Sequence, residues 1–237
     1  MGEPVETLNA LLRPLALGFW GLVLVQSGLS GRLDLLVRAV FHPLIIGSGV
    51  VLLALAALDG VRMGRQRPAP RRNRTSRRER AALLLGFALA LAMLLVPPVP
   101  SFADLAANRP GGQLEVQELS FVLPPAQRSL TDWVRLLRSQ PDPALYAGDP
   151  VRISGFVLPV PGEAPELARL LVRCCLADAT PFGLPVRWPA GQPLPQADQW
   201  LAIEGVMALD TTSNPPRSLV IPGRITPIQR PRRPFEP

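Results

Sequence analysis

The chain changes its hydrophobic rhythm near residue 104. Before that point the apolar residues come in three uncharged runs, at 14–31, 39–58 and 81–103. After it they come in short groups broken by charged residues, prolines and glycines. A bilayer-crossing helix needs about 20 apolar residues. The second and third runs reach that length, and the first sits at its lower limit with Gln26 and Ser27 inside it. The expectation is three membrane spans. A cleaved secretory signal fits less well, because residues 1–13 carry Glu3 and Glu6 against one arginine, Arg13, where a signal has a positively charged leader.

The later part reads differently. Residues 113–122 alternate weakly, as an interrupted strand does. In 129–139, Leu130, Trp133, Val134, Leu136 and Leu137 recur at helical spacing behind the capping candidates Ser129 and Thr131, and Pro141 and Pro143 end the run. From Asp149, Val151, Ile153, Gly155 and Val157 alternate with Arg152, Ser154 and Phe156. Four more strand candidates follow at 167–176, 183–188, 200–209 and 219–226. Five short strands with a glycine inside the first predict a mostly β, OB-like small barrel with one helix, a β-sandwich being the alternative. The expected organisation is a three-span region over 1–103 with a loop at 59–80, a connecting strand and helix at 104–148, the β domain at 149–228, and an extended Pro/Arg-rich tail at 229–237.

Charge supplies the direction of the spans. Nine arginines fall between Arg62 and Arg80, against a net charge of +7 for the whole chain. Such a loop stays in the cytoplasm by the positive-inside rule. With three spans, residues 104–237 then lie on the extracytoplasmic side. That segment is neutral, with 13 arginines against 13 acidic residues. Neutrality and few aromatics argue against nucleic acid as its partner, since a single-strand site needs a basic groove with stacking platforms. Membrane lipid is the expected neighbour of the loop.

Candidate chemistry is concentrated at Cys174 and Cys175, the two thiols of the chain, with Asp178 three residues on. Adjacent Cα atoms lie about 3.8 Å apart, below the usual disulfide range of about 4.4–6.8 Å. Three uses compete: packing, metal or thiol binding, and redox switching. On a regular strand the two side chains would point to opposite faces. Metal binding needs a bulge or turn that brings both sulfurs together, with Asp178 or another chain completing a zinc or copper(I) site. His42, the one histidine, lies beside Pro43 at the outer end of the second apolar run, near its first residues, and is a further ligand candidate. Asp149, Asp178 and Asp210 read as turn and cap residues. No nucleophile elbow, phosphate loop, zincin helix or dinucleotide fingerprint occurs, so no enzyme is expected.

The segments Phe41-His42-Pro43, Gly155-Phe156-Val157 and Arg173-Cys174-Cys175-Leu176-Ala177-Asp178-Ala179-Thr180-Pro181-Phe182-Gly183-Leu184-Pro185-Val186 resemble the YcgQ-like family of small membrane proteins. The resemblance implies the small subunit of a two-component permease, partnered by a multi-pass YcgR-like protein. It marks His42, Cys174, Cys175, Asp178, Pro181 and Gly183, and brings no catalytic role. A second function class consistent with the residues is a membrane-anchored extracytoplasmic thiol redox or assembly factor; a third is a purely structural interaction protein. Small residues of the second run, Gly47, Ser48, Gly49, Ala54, Ala56 and Ala57, suit close docking on another helix.

Overall fold

In the computed structural model, residues 3–65, 77–96, 100–108, 123–140 and 142–236 are described. The chain divides into two compact units, Met1–Val99 and Pro100–Pro237. The strand expected at 113–122 lies outside the described residues, as does the middle of the arginine loop.

The first unit is helical: α1 (Glu3–Leu29), α2 (His42–Arg65) and α3 (Arg77–Leu95), with short 3₁₀ turns Arg32–Leu35 and Ala39–Phe41 between the first two. Among the described residues, one stretch, Ala39–Arg62, is helical, long and apolar enough to cross a membrane. The apolar helices Pro14–Leu29 and Ala81–Leu95 have 10–17 residues. At 1.5 Å per residue even 17 residues reach only about 26 Å, short of the ~30 Å hydrocarbon core. This corrects the three-span expectation.

Local chemistry shortens both runs. Gly31 adopts a left-handed conformation (φ 72°) just past the end of α1, a common way for a helix to stop. The end of the third run belongs to the other unit. Phe102 and Ala103 open the short helix α4 (Phe102–Ala107) and are buried there. The Phe102 ring packs against Phe156 at 5.6 Å and Phe235 at 5.7 Å. An uninterrupted apolar sequence thus joins the end of one helix to the core of a different fold. By length and composition, one helix among the described residues could cross a membrane, where three were expected.

Within the first unit α1 and α2 approach through opposed glycines. A Cβ on Gly21 would lie 2.8 Å from the Gly49 carbonyl oxygen, and one on Gly49 would lie 2.9 Å from that of Gly21. Gly49 is therefore occupied by α1, as is Ala56, which faces Gly18. Gly47 has open space around it. The docking set read from sequence is divided between an internal contact and a free face.

The second unit carries β1 (Pro150–Leu158), β2 (Glu166–Leu171), β3 (Thr180–Pro185), β4 (Trp200–Asp210), β5 (Arg217–Pro227) and β6 (Phe235–Glu236), preceded by α5 (Leu130–Ser139). Five strands form an antiparallel sheet in the order β3-β2-β1-β4-β5. The domain expected as an OB-like small barrel is this antiparallel sheet, and just past the end of β3 Val186 makes one parallel bridge to Val220 of β5. The tail at 229–237 is not a free extension: β6 pairs in parallel with β2, and buried Arg169 donates to the Pro234 carbonyl at 3.0 Å.

Helix α5 starts where Ser129 and Asp132 cap each other reciprocally, Ser129 Oγ accepting from the Asp132 amide at 3.2 Å and Asp132 from the Ser129 amide at 2.9 Å. Its apolar stripe places Trp133 in one core with Val151, Ile153, Leu167, Phe182 and Ile203. Phe102, Phe156, Ala168, Leu170 and Trp200 form a second cluster. Alternation along β1 feeds both clusters, which fixes the register of that strand. At Gly155 β1 runs tight against β2, since a Cβ there would run into the Ala168 carbonyl oxygen and lie 3.1 Å from Leu167 Cγ. Gly155→Ala should lower stability by about 1–3 kcal/mol through overpacking, read as a drop in the thermal midpoint of the purified protein.

Candidate metal centre

β2 breaks off at Leu171, although Val172, Cys174, Cys175 and Leu176 extend the mostly apolar stretch beyond it. The cause is Asp178. Its Oδ1 accepts the amide of Arg173 at 2.8 Å, and its Oδ2 accepts those of Cys174 at 2.7 Å and Cys175 at 3.3 Å. Three successive N–H groups wrapped around one carboxylate form an anion-binding nest. They cannot also serve a strand ladder. The chain then turns through the 3₁₀ segment Leu176–Asp178, closed by the Asp178 amide donating to the Cys175 carbonyl at 3.0 Å, and resumes as β3.

The turn defeats the alternation that a strand would impose on adjacent side chains. The Cys174 thiol lies 3.6 Å from Cys175 Sγ. Both cysteines are free, Cys174 exposed and Cys175 half-buried. Ligand atoms of Cys174, Cys175 and Asp178 all fall within 4.8 Å of one another. Three of the four candidates read from sequence are thereby brought together.

The fourth, His42, begins α2 in the first unit and is engaged locally: its Nε2 lies 3.1 Å from the Val37 carbonyl oxygen, and its Nδ1 4.0 Å from Asp34. The other two aspartates are structural. Asp149 pairs with Arg128 at 3.2 Å, and Asp210 accepts the Thr212 amide at 3.0 Å and the Thr212 and Ser213 hydroxyls.

Electrostatics tie the thiols to the carboxylate. Cys174 is pushed up to about 12, chiefly because its S–H is hydrogen-bonded to Asp178 and then to Cys175. Burial alone would raise Asp178, but the Cys174 thiol and the three backbone amides outweigh it and hold the carboxyl below its ordinary range. A carboxylate has about four lone-pair positions. Three are taken by amides here, which leaves about one. Arg173 was missed as a contributor because its part is played by a main-chain N–H. The signal available was an acidic residue three positions after Cys175, the spacing of a capping box.

Residues 127–235, which run from the end of the 3₁₀ turn before α5 into β6, match the DUF1980 C-terminal domain, a domain of unknown function. Neither a curated protein nor a solved structure matches the chain.

Proposed function

We propose that this protein is a membrane-anchored accessory subunit of a permease, whose β domain captures a thiophilic ligand at Cys174 and Cys175 and passes it to a multi-pass partner of the YcgR-like kind. One observation carries the reading: two free thiols converge at 3.6 Å on an exposed turn that Asp178 holds in shape. A packing role would bury the sulfurs, yet Cys174 is exposed. Membrane anchoring is supported by α2, and by the apolar surface of the helical unit, where Val50, Val51, Leu55, Leu58, Leu84 and Leu85 are exposed. Exposed apolar area of this extent is unusual on a soluble monomer.

The redox alternative has less support. Exchange proceeds through a thiolate, and the hydrogen bond to Asp178 keeps Cys174 protonated near neutrality. Rapid alkylation of the protein in cells should therefore find both cysteines reduced; a partly oxidised pair would favour the switch.

The test of the main reading is isolation in mild detergent. A multi-pass membrane protein should co-purify, and the retained thiophilic ligand should vanish in Cys174→Ser plus Cys175→Ser while the partner remains. A solitary protein whose double variant behaves as wild type would reject it.

A further inference from the structure

The spacing of the two sulfurs selects among the ions that thiols can hold. Metal–sulfur bonds of about 2.3 Å with a tetrahedral angle require sulfurs about 3.8 Å apart. Linear two-coordinate binding at the same bond length requires about 4.6 Å. The observed 3.6 Å corresponds to a bite of about 103° at that bond length. It matches the tetrahedral case closely, whereas the linear case needs the thiols driven about 1 Å further apart on neighbouring residues of a clamped turn.

We infer that Cys174, Cys175 and Asp178 form a three-ligand tetrahedral site for a zinc-class divalent cation, with the fourth coordination position left open for a donor supplied by the recipient. The cation enters among the two sulfurs and the Asp178 carboxylate, whose ligand atoms lie within 4.8 Å of one another. Two metal–sulfur bonds form, both thiol protons leave to water, and a free lone pair of the Asp178 carboxylate binds the metal. The other lone pairs stay on the amides of Arg173, Cys174 and Cys175, so the turn keeps its shape. Two thiolates and a carboxylate leave a net charge of −1 on a divalent ion, which favours retention.

An open fourth position distinguishes this arrangement from a structural zinc site, where four protein ligands close the shell. Here Cys174 is exposed, and among the described residues these three form the group able to hold a metal ion. An incoming nitrogen or sulfur donor can bind before either thiolate leaves. That is the geometry of transfer rather than storage.

This inference rests on the capture role proposed above and fails separately from it. The full-length protein in mild detergent is titrated with cobalt(II), then with zinc(II), and in parallel with copper(I) against a chromophoric chelator. One equivalent of cobalt should give the intense visible bands of a tetrahedral ion together with thiolate-to-cobalt charge transfer, and zinc should bleach both. Cys174→Ser and Cys175→Ser should each reduce the charge-transfer intensity, with thermal unfolding reporting that the fold persists. Asp178→Asn should weaken cobalt binding by at least about 10-fold, the lower bound seen for loss even of a group that only orients a ligand. Tight copper(I) binding with no tetrahedral cobalt spectrum would overturn the zinc-class assignment and leave thiol capture standing. Failure of all three metals would remove the metal site altogether, and the co-purification result would then decide the accessory role by itself.

Discussion

Trp133→Ala is expected to destabilise the C-terminal unit by about 3–5 kcal/mol, the range for emptying a large aromatic from a core. Trp133 has no exposed surface and lies between the sheet and the Tyr146 ring, whose centroid is 6.1 Å away. The Arg128 guanidinium sits 4.5 Å over its face and also bonds Asp149, so the indole joins the apolar core to an ion pair. Typical domains are stable by only about 5–15 kcal/mol. The variant should therefore unfold at a much lower denaturant midpoint, with the slope unchanged if the transition stays two-state. Its Nε1 is buried without a hydrogen-bond partner, so the N–H contributes no bond that phenylalanine would lose. Trp133→Phe should accordingly cost less than half as much as the alanine change. Equal losses for the two would show that volume is not what the position supplies.

The second large effect concerns the reactivity of Cys174 in the metal-free protein. Thiolate is the attacking species, and an ordinary cysteine ionises near 8.5. With its thiol pushed up to about 12 by the hydrogen bond to Asp178 and then by Cys175, Cys174 remains protonated across the neutral range and yields thiolate only as pH climbs well above it. Because the thiol is solvent-exposed, the full displacement is discounted. Alkylation at pH 8 is expected to be at least about tenfold slower than for a free cysteine. The rate should keep rising past pH 10, where an ordinary thiol has levelled off. Asp178→Asn removes the anion and should return the rate by a similar factor. Tandem mass spectrometry after timed iodoacetamide treatment assigns the label to each of the adjacent residues. A flat rate above pH 9, or no response to Asp178→Asn, would show that the carboxylate does not hold the proton.

Sequence periodicity was most informative where one side chain pattern had one cause. The stripe Leu130, Trp133, Val134, Leu136 has the spacing of α5, and the alternation after Asp149 has that of β1. It misled where two structures share one composition. The apolar run at 81–103 contains the end of α3 and the first core residues of the second unit, and hydropathy does not distinguish lipid-facing leucine from buried phenylalanine. Strand β2 was expected to continue to 176, because the residues there are apolar. The short-range bonds from Asp178 to the main chain won instead, the general way in which Asp competes with regular structure. The same competition explains the site. Two adjacent cysteines were visible as candidates, yet their convergence depends on a carboxylate whose hold on three amides no periodicity encodes.

The short parallel strand near the carboxyl end has a practical bearing on any handling of this protein. Glu236 is in register with Leu171, and the chain leaving Leu171 passes through Val172 and Arg173 to the first thiol. An affinity tag or fluorescent fusion attached after Pro237 would thus pull on a strand only three residues from the chemistry. Labels belong at the opposite end, or on the loop at 159–165, which enters β2 at the end remote from Leu171.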